Sequence, residues 1–307
     1  MHPRSARLVL MVFWQLVILT SVAFAHPPSG IVIDAEGHAY FLYQGLVRLE
    51  PSGQLTTIQQ STGGHWLAVD ANGNSSRAAQ VGYTKISSGG STLIFGDGAP
   101  LVIGADGSLY YGSNGSQEES YPTGALAVAV LPASGPARLF SPSLKQKLAE
   151  WKDGVTGLAM GTDGSLYVAT WKGVLKLSPD GAIAKVWYPI AVSDCDSDPA
   201  DHNPANASSP LFRGLGVDSL GDVYVAATSC HRVVKITPAG QVTTISRSER
   251  PWSPTGVAVR GEEVYVLEYT NANGPRTEGW SPRVRKRGKD GTWTTLVEFH
   301  PATGQHP

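Results

Sequence analysis

Cysteine is the scarcest residue in this 307-residue chain: there are two, Cys195 and Cys230. Charged residues are also few, 16% of the total, and they balance to a formal net charge of −1. That balance leaves no basic face for nucleic acid, so no nucleic-acid partner is expected. Beyond residue 19 no apolar run approaches the length of a membrane span. Catalytic signatures are missing as well. The sequence has no Gly-x-Ser-x-Gly nucleophile elbow, no His-Glu-x-x-His zinc motif and no phosphate loop. GSNGS at 112–116 reads as a turn, because it opens no helix.

What is present begins with an export signal. Arg4 and Arg7 precede an apolar run at 8–19, and Ala23-Phe24-Ala25 then supplies small residues at the two positions a signal peptidase reads. The expectation is a signal peptide over 1–25, cleaved after Ala25, and a secreted or periplasmic chain with no stable membrane insertion. The mature domain of 282 residues (307 − 25), 26–307, loses two basic residues and no acid. It therefore carries 22 basic against 25 acidic residues, a formal charge of −3. In an oxidising compartment Cys195 and Cys230 default to one disulfide.

Gly at 35 and Pro at 21 suit a turn-rich all-β protein. The clearest unit is 212–245, FRGLGVDSLGDVYVAATSCHRVVKITPAGQVTTI, whose apolar residues alternate as strands require and whose breaks fall at 219–221, 229–231 and 238–240. Four short strands and three turns make one antiparallel sheet. With Asp218 as anchor, the pattern apolar-x-apolar-Asp-x-x-Gly-x-apolar-Tyr recurs with anchors at Asp34, Asp70, Gly104, Gly161 and Arg260. A Gly turn leading into a strand follows each, at Gly53, Gly90, Gly135, Gly181, Gly240 and Gly291. Six of each predict a six-bladed β-propeller of four-stranded antiparallel blades. Blades one and six each own four strands, which leaves none to exchange for ring closure.

The anchors are spaced 36, 34, 57, 57 and 42 residues apart, and a blade needs roughly 40, so the two long intervals hold insertions. Anchor to second Gly is 20 to 22 residues in blades two, four and five but 31 in blades three and six. The extra residues of the latter two therefore lie between the second and third strands, at 112–123 and 271–282. A helix is expected at 141–151, capped by Ser141 and with Leu144, Leu148 and Trp151 along one side. A polar Pro/Asn/Asp/Ser loop at 190–210 joins blades four and five.

The unit around Asp218 resembles an NHL repeat: Gly214, Asp218, Gly221, Tyr224, Val225, Arg232, Pro238 and Gly240 match, and Cys230 stands where that pattern has Asn. Gly157, Gly164, Tyr167, Val168, Pro179 and Gly181 match it in blade four. NHL-type propellers overlap in sequence with gluconolactonase and regucalcin-like (SMP-30-like) propellers and with virginiamycin B lyase-like ones. The first resemblance implies metal-dependent lactone hydrolysis, with a Glu on the first inner strand helping to hold the cation; here that strand begins Ser29-Gly30-Ile31. The second implies elimination chemistry by His and Glu near the top, for which Glu268 and His231 are the comparable residues.

In a propeller the blade connections and the turns between second and third strands share one face, and function collects there. The residues expected on this rim are His65, Thr156, Arg213 and Thr255 at inner-strand starts, with His231, Glu268, Trp171, Trp252 and Trp280 in or near rim loops. Glu268 and His65 are the candidate general base or catalytic pair. Arg213, His231, Thr156, Thr255 and Trp280 are candidate ligand contacts, with Arg213 suited to an anionic group. Cys195 and Cys230 fall on the same rim, where a bridge would pin the 190–210 loop. Asp194, Asp196 and Asp198 offer alternating hard oxygens that suit a divalent cation such as Ca²⁺, although Pro199 stands where a Ca²⁺ loop wants Gly. The expected role is a monomeric binding or interaction module for a small molecule, sugar or protein. A cation-dependent lactonase or lyase-like enzyme at the channel mouth is the alternative.

Overall fold

The computed structural model describes residues 27–60, 64–70, 77–88, 90–96, 99–113, 125–195, 209–270 and 280–300. The expected signal peptide and cleavage point lie outside them. Six antiparallel sheets follow one another along the chain. Blade one is β1 (Ile31–Ile33), β2 (Ala39–Leu42), β3 (Gly45–Leu49) and β4 (Leu55–Gln60). Blade two is β5 (Trp66–Asp70), β6 (Thr84–Ser88) and β7 (Ser91–Gly96). Blade three is β8 (Leu101–Ile103), β9 (Leu109–Ser113), β10 (Ala127–Leu131) and β11 (Arg138–Leu139). Blade four is β12 (Val155–Met160), β13 (Leu166–Thr170), β14 (Val174–Leu177) and β15 (Ile183–Trp187). Blade five is β16 (Phe212–Val217), β17 (Val223–Ala227), β18 (Arg232–Ile236) and β19 (Val242–Arg247). Blade six is β20 (Trp252–Arg260), β21 (Glu263–Thr270), β22 (Pro282–Arg287) and β23 (Trp293–Glu298).

Five blades have their four strands in sequence order; blade two does not. Among the described residues it has three strands in the order β5-β7-β6, so Gly90 turns a hairpin whose second arm returns to the inner strand instead of forming the outer edge. Side-chain chemistry explains the inversion. Ser91–Gly96, STLIFG, is almost wholly buried, whereas Thr84–Ser88, TKISS, is mostly exposed. The apolar arm takes the position covered on both sides and the polar arm takes the edge.

The alternating apolar residues meet between blades. Tyr167, Ala169, Val174 and Trp187 of blade four pack with Leu215, Val225, Val234 and Ile236 of blade five. The insertions fall between β9 and β10 and between β21 and β22, as expected. The helix α1 (Pro142–Trp151) starts where Ser141 Oγ accepts the Leu144 amide at 3.2 Å, and it buries Leu144 and Leu148 against blades three and four. No helix of the described residues is long and apolar enough to cross a membrane.

The ring closes without an exchanged strand. Phe41, Val47 and Leu49 of blade one share a core with Tyr265, Leu267, Tyr269 and Val284 of blade six, and the Tyr269 hydroxyl donates to the Leu42 carbonyl. Phe299, just past β23, packs its ring 4.8 Å from Tyr43 and 6.3 Å from Phe41. At the axis the contact is backbone on backbone: a β-carbon at Gly256 would sit 2.3 Å from the Ser29 carbonyl oxygen. Gly256→Ala is therefore expected to force β1 and β20 apart and to cost about 1–3 kcal/mol, the range of core overpacking, which urea unfolding of both proteins would measure.

Candidate functional site

Three consecutive inner strands carry a β-bulge at the same place, close to the end where each strand enters its blade. Val155 and Gly157 pair with Thr170 and Ala169, which leaves Thr156 as the extra residue. The register slips between Phe212 and Leu215, at Arg213 and Gly214, and between Pro254 and Gly256, at Thr255. A bulge re-aims a side chain and breaks local pairing. All three of Thr156, Arg213 and Thr255 are expected rim residues, and all three are buried.

Glycines following the bulges let the strands converge. A β-carbon at Gly157 would lie 2.4 Å from the Arg213 carbonyl oxygen, and one at Gly214 would lie 2.7 Å from Gly256 Cα. The ring continues into blades one and two, because the amides of Ser29 and Gly30 both donate to the His65 carbonyl at 2.9 Å. Thus Thr156, Arg213 and Thr255 near the starts of three inner strands, and Ser29 and His65 just before the next two, gather on one face of the ring. Thr255 Oγ1 donates to the Pro28 carbonyl at 2.8 Å. The Thr156 and Ser29 hydroxyls are buried with no hydrogen-bond partner among the described residues, an arrangement that calls for water or ligand.

Glu268 does not point into solvent at the rim. It is 0% exposed, receives a hydrogen bond from Ser248 Oγ, is paired with the Arg283 guanidinium, and has Arg285 Nη1 3.8 Å from its second oxygen. Arg283 stacks 4.4 Å over the Trp252 ring and Arg285 5.0 Å over Trp293. The carboxylate is thus committed to the interface between blades five and six. His231 serves the same interface: its Nδ1 lies 2.8 Å from the Trp252 carbonyl and 2.9 Å from Ser253 Oγ, and its Nε2 is buried without a partner. Trp280 is half-buried, with its Nε1 likewise lacking an acceptor.

Cys195 and Cys230 form a disulfide with Cα atoms 4.7 Å apart. Cys230 is buried, and Cys195 packs on the core between blades four and five. Asp194 is exposed and ion-paired with Arg247 at 3.3 Å; Asp196 and Asp198 lie outside the described residues.

Sequence reading missed a different acidic group, on the opposite face of blade one. Asp34, Glu36 and His38 bring three potential ligand atoms within 4.8 Å of one another and could hold a metal ion. The Asp-x-Glu-x-His spacing is present in the sequence, inside the turn that Asp34 anchors. The group is also satisfied internally. Asp34 accepts from the His38 amide at 2.8 Å, His38 Nδ1 at 2.7 Å, Ser91 Oγ at 2.9 Å and the Tyr40 hydroxyl at 3.0 Å, while His38 Nε2 meets Glu50 at 2.8 Å.

Burial on its own would raise the pKa of Asp34, but the hydrogen bonds from His38, Ser91 and Tyr40 outweigh it and hold the carboxyl below its usual value of 3.8. A folded-state pKa below the unfolded one contributes stability that is fully present above about pH 4 and is lost as pH falls through the folded value. Asp34→Asn is expected to cost about 2–3 kcal/mol at neutral pH, as loss of hydrogen bonds to a charged group does. Thermal unfolding from pH 7 down to pH 2.5 should show the two proteins converging below pH 4.

No protein-family model and no curated protein sequence matches the chain. Solved structures do. A streptogramin B lyase superposes with a TM-score of 0.51 at 14% identity, over 92% of this chain and 86% of that one. A gluconolactonase from Xanthomonas campestris gives 0.51 at 15%, over 79% and 83%. Regucalcin from Agrobacterium tumefaciens, described as a calcium-binding protein, gives 0.49 at 13%, over 80% and 83%. The chain is a six-bladed β-propeller similar in fold to these lyase and gluconolactonase structures.

Proposed function

We propose that the chain is an exported, monomeric binding module that takes a small polar ligand, of the sugar or sugar-acid class, at the channel mouth. The observation that carries this reading is the repeated bulge: three adjacent blades deform their inner strands at equivalent residues, and two hydroxyls of the mouth, Thr156 and Ser29, are buried with no protein partner. Hydroxyl donors and acceptors on strands neighbouring that of Arg213 suit a polyol or its carboxylate. Calorimetry with glucose, gluconate and galacturonate should give saturable binding of at least one. Its affinity should fall roughly tenfold or more in Thr156→Val and Arg213→Gln, the cost of a lost polar contact in a buried site. No saturable binding in this panel, or binding untouched by both substitutions, would sink the reading.

The enzymatic alternative is a cation-dependent lactonase or lyase at the same mouth. His65, Arg213 and the acidic loop from Asp194 remain its residues, whereas the pairing of Glu268 with Arg283 argues against that carboxylate as the base. Hydrolysis of glucono-δ-lactone that a chelator abolishes and Ca²⁺ restores would favour the enzyme over the binding module. Export itself predicts a processed N-terminus at His26, which N-terminal sequencing of secreted material would reveal.

A further inference from the structure

A cleft of about 420 Å³ opens between blades four and five on the face opposite the channel mouth, within the size range of small-molecule sites. One wall is the sheet of blade four. Tyr167 on β13, Lys176 on β14 and Lys185 on β15 are direct cross-strand partners, so they stand in one row on one face. Trp187, two residues beyond Lys185, continues that face. The other wall is the turn carrying Leu220 and, behind it, Pro238 of the next turn.

Three features of these walls lack a counterpart among the described residues. Lys176 and Lys185 are like charges placed directly opposite each other, an arrangement that destabilises a sheet. Lys176 is compensated: its Nζ lies 2.7 Å from Asp163 and 5.3 Å over the Tyr167 ring. Among the described residues Lys185, which is exposed, has no ion-pair partner. Trp187 is 8% exposed, and its Nε1 is buried without an acceptor. Leu220, 78% exposed, is the most exposed large hydrophobic residue among those described.

The geometry points to a second binding site here, for an amphipathic carboxylate: an organic acid whose anionic head sits against Lys185 and Lys176 and whose apolar or aromatic body lies across Trp187, Pro238 and Leu220. The head offsets the repulsion between the two lysines, which the protein's own residues leave half-compensated. The body covers the leucine that the fold leaves in water. Comparable rows in neighbouring blades carry one cation each. Lys235 stands over Tyr224 and pairs with Asp222; Lys286 stands over Tyr265 and pairs with Glu263. The second lysine is what distinguishes the wall of blade four.

This site is independent of the channel mouth, so the two readings fail separately. Calorimetry on the full chain with phenylacetate as probe tests it, with phenylacetamide removing the charge and acetate removing the body. The expected result is saturable binding of phenylacetate, with phenylacetamide and acetate weaker by roughly tenfold or more, the value of one charge-assisted contact. Lys185→Gln should weaken phenylacetate by a similar factor, and Leu220→Ser should weaken it further. Both positions are exposed, so unchanged thermal unfolding would certify the fold of each variant. Absence of saturable phenylacetate binding, equal affinity for phenylacetamide, or an affinity that Lys185→Gln leaves unmoved overturns the proposal.

Discussion

Glu268→Ala is expected to destabilise the protein by about 3–5 kcal/mol, the cost of removing one partner from a buried ion pair and leaving the other uncompensated. Glu268 is fully buried, and two guanidinium groups converge on it, with Arg283 in contact and Arg285 at 3.8 Å. Both arginines are held in place by stacking on Trp252 and Trp293, so neither can swing to solvent without giving up that contact. Deleting the carboxylate leaves two cations side by side between blades five and six, with only the partly exposed Glu298, 3.8 Å from Arg283, to offset them. Glu268→Gln is the informative companion: it keeps the shape and one acceptor but removes the charge, and it should fall between wild type and Ala. Urea unfolding of the three proteins measures the order. If Glu268→Ala left stability within about 0.5 kcal/mol, as ordinary surface substitutions do, the buried pair would not be holding the interface. A catalytic Glu268 would show the reverse pattern, with lost activity and unchanged or increased stability.

That residue also shows where sequence reading stopped. The apolar run at 264–267 predicts a strand that stops there, with Glu268 beyond it at the rim. The structure extends β21 to Thr270, and the period of two then puts Glu268 on the same side as Val264 and Val266, both packed against blade five. Its partner was in the sequence too, since Arg283 lies directly opposite on β22. What single-sequence pattern could not supply was the register across a long insertion, because the pairing of β21 with β22 skips residues 271–281. The six blades were legible because turn glycines punctuate them. The strand order of blade two was not, because a hairpin returning to the inner strand and one continuing outward share the same alternation and the same Gly turn. The bulges at Thr156, Arg213 and Thr255 left no signature beyond the glycines beside them. These had been read as part of a repeat pattern and prove to be the points where inner strands touch.

The two faces of the propeller then divide the chemistry. At the mouth, Thr156, Arg213 and Thr255 lie on bulged strands whose backbones touch, and the nearby Glu268 carboxylate is paired with Arg283. Toward the opposite face the second and third strands of blades four, five and six carry Tyr and Lys paired with a nearby carboxylate, a set that repeats from blade to blade. A repeated set is what the fold needs; a departure from it, such as Lys185, is where a ligand has room to act.

Removing the disulfide is the second large effect expected. The bridge joins the connection that leaves blade four to the turn between β17 and β18, closing a loop of 36 residues, and loop-closure entropy puts its contribution at about 3–4 kcal/mol. Its surroundings argue that the native geometry uses the whole of it: Cys230 is buried, and Cys195, Ile190 and Val192 pack with Trp187, Phe212 and Leu215. The turn it fixes passes directly into His231, which reaches blade six through the Trp252 carbonyl. A paired Cys195→Ser/Cys230→Ser variant should therefore lower the unfolding free energy by that amount and increase the proteolytic sensitivity of the connection between blades four and five before it affects any other blade. Limited proteolysis read by mass spectrometry, beside urea unfolding under non-reducing conditions, separates local loosening from global loss. Equal stability with and without the bridge, together with an unchanged cleavage map, would mean that the apolar packing of Ile190 and Val192 alone holds the loop.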